Sequence, residues 1–197
     1  MGLRSPPRVY LAGFEVFFCG EKEKNIAVAK KRICSEWGLE GVFPGDAAVR
    51  NLPAHEMAAE IYNKDVEIMK SCDAICANLT PFRGVSADAG TCWELGHFVG
   101  AGKPAVAYTS DARTYEQRVP ASMMAATVAT PPLDVWGMKV DMQGEPDNCM
   151  MTRCVTCLAV AKEVLTEAEM LVDLRAFEES ISALSGLFLT RSNMVTS

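Results

Sequence analysis

Four short apolar runs, alternating with segments of helical period, constrain this fold most. They are Arg8–Gly13, Glu40–Phe43, Ala74–Ala77 and Ala105–Tyr108. Each is too short for a buried helix and is closed by turn-forming residues, so each reads as a buried strand. Between the first two, Phe14–Glu23 reads as a loop and Lys24–Trp37 as a helix stopped by Gly38. A second helix starts near Pro53 and ends before Asp73, and a third starts at Asp88, where a carboxylate can cap it. Leu133–Trp136 is assigned as a fifth strand, Pro120–Val128 as a Met/Ala-rich helix, and Gly137–Asn148 as a loop. The C-terminal part over 149–189 reads as helical, with a break near Val172–Ala176 and a frayed tail from Thr190. Strand–helix alternation of this kind predicts an α/β fold. The expectation is one domain over residues 1–197, with its core in 8–140. Its doubly wound, Rossmann-like or flavodoxin-like sheet is mostly parallel and five-stranded, with helices on both faces.

That topology gathers the C-terminal strand ends along one edge, bringing Tyr10, the loop after Asn78 and Ser110 together. Asp88 and Glu94, six residues apart on the third helix, emerge at the same edge. Taken alone, Asp88 and Glu94 also fit a helix cap and a solvated glutamate. Tyr10 fits a core tyrosine, and Asp65, beside Lys64 and Glu67, a solvated helix face. The net charge of −6, with no Lys/Arg cluster, argues against nucleic-acid or anionic-membrane surfaces. No apolar run reaches the ~20 residues a bilayer span needs. The eight cysteines, with no signal-peptide pattern, point to a reduced, cytoplasmic setting. The Cys154–Cys157 CxxC reads as packing within a helix, since no second CxxC or following histidine supports zinc. No G-x-S-x-G, Walker A or G-x-G-x-x-G pattern occurs, and no cofactor or metal is implied. Carboxylate chemistry remains, which is how glycosidic bonds are broken.

More specific is the combination of Val9-Tyr10-Leu-Ala-Gly13, Asn63-x-Asp65, Cys72-Asp73-Ala74, Asn78-Leu-x-Pro81-Phe82-Arg83-Gly84 and Asp88-x-Gly90-Thr91-x-x-Glu94-x-Gly96. With Gly102-Lys103-Pro104 and the strand after it, the match runs over roughly residues 8–140 and resembles the nucleoside 2-deoxyribosyltransferases, most closely the trypanosomatid members. The resemblance implies transfer of 2-deoxyribose between nucleobases in nucleoside salvage. Glu94 is then the nucleophile at C1′, Tyr10 its hydrogen-bond partner, and Asp65 the proton donor to the leaving base. It implies sugar binding by Asp88, with Gly13, Phe14, Asn63, Gly90, Ser122 and Met124 as further substrate contacts. Phe14 and the Phe43–Asp46 loop would form a pocket wall. The implied partners are 2′-deoxyribonucleosides, with a guess at purines, and free nucleobases. A homo-oligomer with shared active sites is also implied, the Met123-Met124 segment being the expected contact.

The family's Asn in an N-x-M pattern is Ser122 here, in Pro120-Ala-Ser122-Met-Met124. A serine there resembles the related deoxynucleoside 5′-monophosphate N-hydrolases, which makes hydrolysis the second expectation and a non-catalytic nucleoside-binding module the third. The loop after the first strand, Phe14–Phe18, carries Glu15 where those hydrolases hold phosphate with Ser and Arg. A glutamate facing the site would repel phosphate, which ranks transfer first.

Overall fold

The computed structural model describes residues 5–46, 52–125 and 132–195. The strands are β1 (Arg8–Ala12), β2 (Glu40–Val42), β3 (Ala74–Asn78), β4 (Ala105–Thr109) and β5 (Cys157–Val160). The helices are α1 (Glu21–Glu36), α2 (Ala54–Ser71), α3 (Ala89–Gly100), α4 (Tyr115–Arg118), α5 (Cys149–Thr152), α6 (Glu167–Met170) and α7 (Arg175–Val195). The five strands form one parallel sheet in the order β2-β1-β3-β4-β5.

Strand alternation sorts the apolar residues onto two faces. Val9, Leu11, Cys76, Val106, Tyr108 and Ala159 point to one side, against Ile33 and Cys34 of α1 and Phe177, Ile181 and Leu184 of α7. Tyr10, Ala12, Ile75, Ala77 and Ala107 point to the other, against Met69 of α2 and Leu95 and Phe98 of α3. β3 and β4 are buried along their whole length, which is why both read as continuous apolar runs. The order reverses between β1 and β3: the chain leaves β1 toward β2 and leaves β3 toward β4. Loops after neighbouring strands therefore diverge and leave a crevice at their C-terminal ends.

The fifth strand is a correction. Leu133–Trp136 does not join the sheet; it forms a small antiparallel excursion bridging Met124 with Asp134 and Leu133 with Lys139. Gly137 turns it with φ 76°, and Asp134 accepts hydrogen bonds from the Trp136 and Met138 amides. Trp136 is 66% exposed, so the segment lacks the covering layer that its apolar sequence suggested. β5 lies instead at Cys157–Val160, inside the stretch expected to be helical, because α7 packs over it and β4 pairs with it. The CxxC accordingly straddles the entry to β5 rather than a helix, and all eight cysteines are free. The expected tail fraying is also corrected: α7 continues to Val195. Of the helix expected over Pro120–Val128, Ala121–Met123 forms a single 3-10 turn, and residues 126–128 lie outside the described residues. Among the described residues no helix is long and apolar enough to cross a membrane.

Candidate functional site

A cavity of about 480 Å³ occupies the crevice between the ends of β1 and β3. This size suits a small organic ligand. The turn after β1 supplies Gly13, Val16 and Phe17; the turn after β2 supplies Pro44 and Gly45; α2 supplies Ile61, Lys64 and Asp65; and the start of α3 supplies Asp88, Gly90, Thr91 and Glu94. Glu23 of α1 completes the wall. Glu23, Ile61 and Lys64 had no sequence signal separating them from ordinary helix-surface positions, and Thr91 stood in the motif without a role.

Two strand–helix contacts set the chemical centre. Tyr10 points from β1 toward α3, and its hydroxyl donates to Glu94 Oε1 at 2.6 Å. Tyr10 is fully buried and its ring stacks on Phe98 at 5.8 Å, so the hydroxyl has little freedom. Burial, opposed by the Tyr10 hydrogen bond and reinforced by Asp65 and Asp88, pushes the Glu94 carboxyl up to about 7. Burial raises Asp65 as well. Asp88 caps α3, its Oδ2 accepting from the Thr91 amide at 3.0 Å and the Thr91 hydroxyl at 3.2 Å. The sequence places Asp65 and Glu94 far apart; packing of α2 and α3 on one face of the sheet brings both to one cavity.

Gly13, Asp65, Asp88, Gly90 and Glu94 thus line one cavity, with Tyr10 directly behind Glu94. Two other expected contacts, Phe14 and Asn63, do not line it. Phe14 is 1% exposed and stacks against Phe82 at 5.3 Å, while Phe17 on the far side of Phe82 is half exposed and faces the cavity. The 3-10 turn Phe14–Phe17 rotates the two phenylalanines to opposite sides of Phe82, a geometry the sequence does not disclose. Arg83, with φ 54°, lays its guanidinium over Phe17 and Phe82 and braces this stack. Asn63 is exposed on α2. Ser122 and Met124, expected to serve a neighbouring chain's site in a homo-oligomer, lie outside the cavity of their own chain, as that expectation requires no contact there.

Glu15 also differs from expectation. It turns away from the crevice into the opposite layer and is 2% exposed. There it pairs with Lys30 of α1 and accepts from Asn78 Nδ2 and Tyr108 Oη, each at 2.9 Å. It therefore presents no charge to a ligand, and the argument that it would repel phosphate does not hold. The lining itself replaces that argument: among the described residues it carries Glu23, Asp65, Asp88 and Glu94 against Lys64.

This inward turn leaves no room at Gly13, where a Cβ would lie 1.9 Å from Glu15 Oε2 and 2.9 Å from Asn78 Cβ. Gly13→Ala must displace the turn that carries Val16 and Phe17. A loss of about 1–3 kcal/mol in stability is expected, together with weakened ligand binding, measurable by thermal unfolding and calorimetry.

The model of the family described as nucleoside 2-deoxyribosyltransferase matches residues 9–150. A 2-deoxyribosyltransferase from Leishmania mexicana superposes with a TM-score of 0.58 at 27% identity, covering 74% of this chain and 85% of that one. A conserved protein from Enterococcus faecalis shares the fold, with a TM-score of 0.50 at 19% identity over 90% of this chain and 98% of that one. An uncharacterised protein of Schizosaccharomyces pombe is 37% identical over 117 residues, 57% of this chain; the match spans 54% of that protein, about half its length.

Proposed function

We propose that this chain, which belongs to the nucleoside 2-deoxyribosyltransferase family, moves 2-deoxyribose between nucleobases through an ester on Glu94. The observation that carries the reading is the partly buried Tyr10–Glu94 hydrogen bond beside a cavity whose wall holds Glu94, Asp65 and Asp88. A Glu94 oxygen attacks C1′ of a 2′-deoxyribonucleoside as the C1′–N bond breaks. The bonding pair leaves on the base nitrogen, and Asp65 supplies the proton that neutralises it. A second base then attacks C1′ from the vacated side, expels the carboxylate and returns a proton to Asp65. Two displacements retain configuration and give ping-pong kinetics. Phe17, at the exposed end of an aromatic stack, offers a ring face to the base, while Asp88 accepts from a sugar hydroxyl.

The acidic lining favours a neutral nucleoside over its 5′-monophosphate, since two phosphate charges would meet Asp88 and Glu94 in a partly enclosed site. The test is deoxyinosine with free adenine, run beside deoxyinosine monophosphate. Formation of deoxyadenosine is expected; release of base to water alone, or faster turnover of the monophosphate, would move the reading to hydrolysis. Binding without turnover in both would leave a nucleoside-binding module.

A pH profile probes the nucleophile. Glu94 must be ionised to attack, and its carboxyl titrates at about 7. Single-turnover glycosyl transfer should fall about tenfold for each pH unit below 6, where Glu94 is protonated, and fall again on the alkaline side, where Asp65 has lost the proton it donates. A profile that stays flat down to the ordinary carboxylate range would remove Glu94 from this role.

A further inference from the structure

We infer that the buried Arg118–Asp147 pair is a positioning device for Asp88, resting on the reading of Asp88 as a sugar ligand. Both residues lie far from Asp88 in sequence, and neither lines the cavity. Their bonds converge on the residues that precede it. Asp147 accepts from the Ser86 hydroxyl at 2.5 Å and the Ala87 amide at 2.8 Å. Arg118 donates from Nε to the Val85 carbonyl at 2.8 Å. Three consecutive residues before the α3 cap are therefore gripped by two charged side chains, themselves 3.7 Å apart. Arg118 also donates to the carbonyls of Arg113 and Pro146, which roots the grip in α4 and in the segment leading to α5.

Burying such a pair is costly. Asp147 is 2% and Arg118 8% exposed, and an apolar pair of similar volume is often no less stable. What the apolar pair would lack is the set of directed bonds to the 85–87 backbone and side chain. Those bonds matter because the loop has few others. It turns through Arg83 in a left-handed conformation and closes on itself with a Phe82 amide to Ser86 carbonyl bond. Asp88 is both the first residue after the gripped stretch and the cap of α3. Its carboxylate is held from the α3 side by Thr91 and from the other by the path of residues 85–87. A shift there moves Asp88 relative to Glu94, which α3 and Tyr10 hold independently.

The consequence is a selective defect. Asp147 also accepts from the Asn148 amide, on the oxygen that holds Ser86, so Asp147→Asn turns an amide N–H toward either the Ala87 or the Asn148 amide, each of which needs an acceptor, and the loop loosens. Ser86→Ala removes one of the same bonds with less risk to folding. In hydrogen exchange on the full chain, the amides of residues 85–91 should exchange about tenfold faster in Asp147→Asn, the β3 amides staying protected. In the transfer assay, KM for the donor nucleoside should rise about tenfold while that for the acceptor base moves less than about twofold. Adding Asp147→Asn to Asp88→Asn should cost nothing further, because both act through one carboxylate. Uniformly faster exchange, a parallel rise in both KM values or additive losses in the double variant would each overturn the inference. Should the wild-type chain transfer no deoxyribose, the transfer reading fails, and the exchange measurement still decides whether Asp147 holds the loop.

Discussion

Glu94→Ala is expected to abolish base exchange, lowering kcat by at least ~10³-fold while leaving the fold intact, as removal of a covalent nucleophile does. The reasoning is geometric. Glu94 is the carboxylate in the crevice that a buried tyrosine holds by a 2.6 Å bond. The same burial gives a second readout. The folded carboxyl titrates at about 7 against an ordinary 4.5, so the folded state disfavours the ionised form. Below pH 4.5 the carboxyl is neutral in both states and costs nothing; as pH rises through 7 the unfolded chain ionises more readily and stability drains away. Glu94→Gln, inactive because it forms no ester, should therefore match wild type in stability at pH 4 and exceed it at pH 8. Retained exchange in Glu94→Ala would sink the covalent reading, and an unchanged stability gap between pH 4 and pH 8 would sink the electrostatic one.

Lys30→Met carries the largest stability effect, about 3–5 kcal/mol, because it strands Glu15 as a buried, uncompensated charge. Lys30 is 1% and Glu15 2% exposed, so bulk solvent screens the pair little. Glu15 Oε2 already lacks a hydrogen-bond partner, so losing Lys30 leaves only Asn78 and Tyr108 on the other oxygen. The damage should extend to function. Glu15 anchors the turn carrying Val16 and Phe17, whose rings and methyls form the cavity wall. Adding Glu15→Gln to Lys30→Met should recover most of the lost stability, since the pair is then neutral. Chemical unfolding of the single and double variants measures both; equal instability in the two would show that shape, not charge, is what Lys30 supplies.

The two variants mark the limit of what could be read from residues in a line. Glu94 stood out through the family resemblance that D-x-G-T-x-x-E-x-G carries, since by spacing alone it also fitted a solvated glutamate. Tyr10 was expected at a strand end, but it lies in the middle of β1 and reaches Glu94 from the sheet face that α3 covers. Glu15 was legible as an acid after a strand but not by its direction: a 3-10 turn of four residues sends it away from the ligand and toward Lys30. Phe14 and Phe17 exchanged roles through the same turn. Asp147 and Arg118 gave no signal, since their partners are backbone groups and one hydroxyl in a loop some 30 to 60 residues away.

Local chemistry in the sequence determined the first four strands, the capped start of α3 and the carboxylates available for work, because buried parallel strands need apolar runs and helix starts need an acceptor. Only the tertiary structure decided the rest. Cys157–Val160 became the edge strand, and Leu133–Trp136 did not, because α7 covers the first and nothing among the described residues covers the second. Glu94 acquired its raised pKa, and Glu15 its buried cation, from neighbours that only packing supplies. Burial disfavours a lone charge and strengthens the attraction between paired ones, and burial is a property of the assembled layers rather than of any segment.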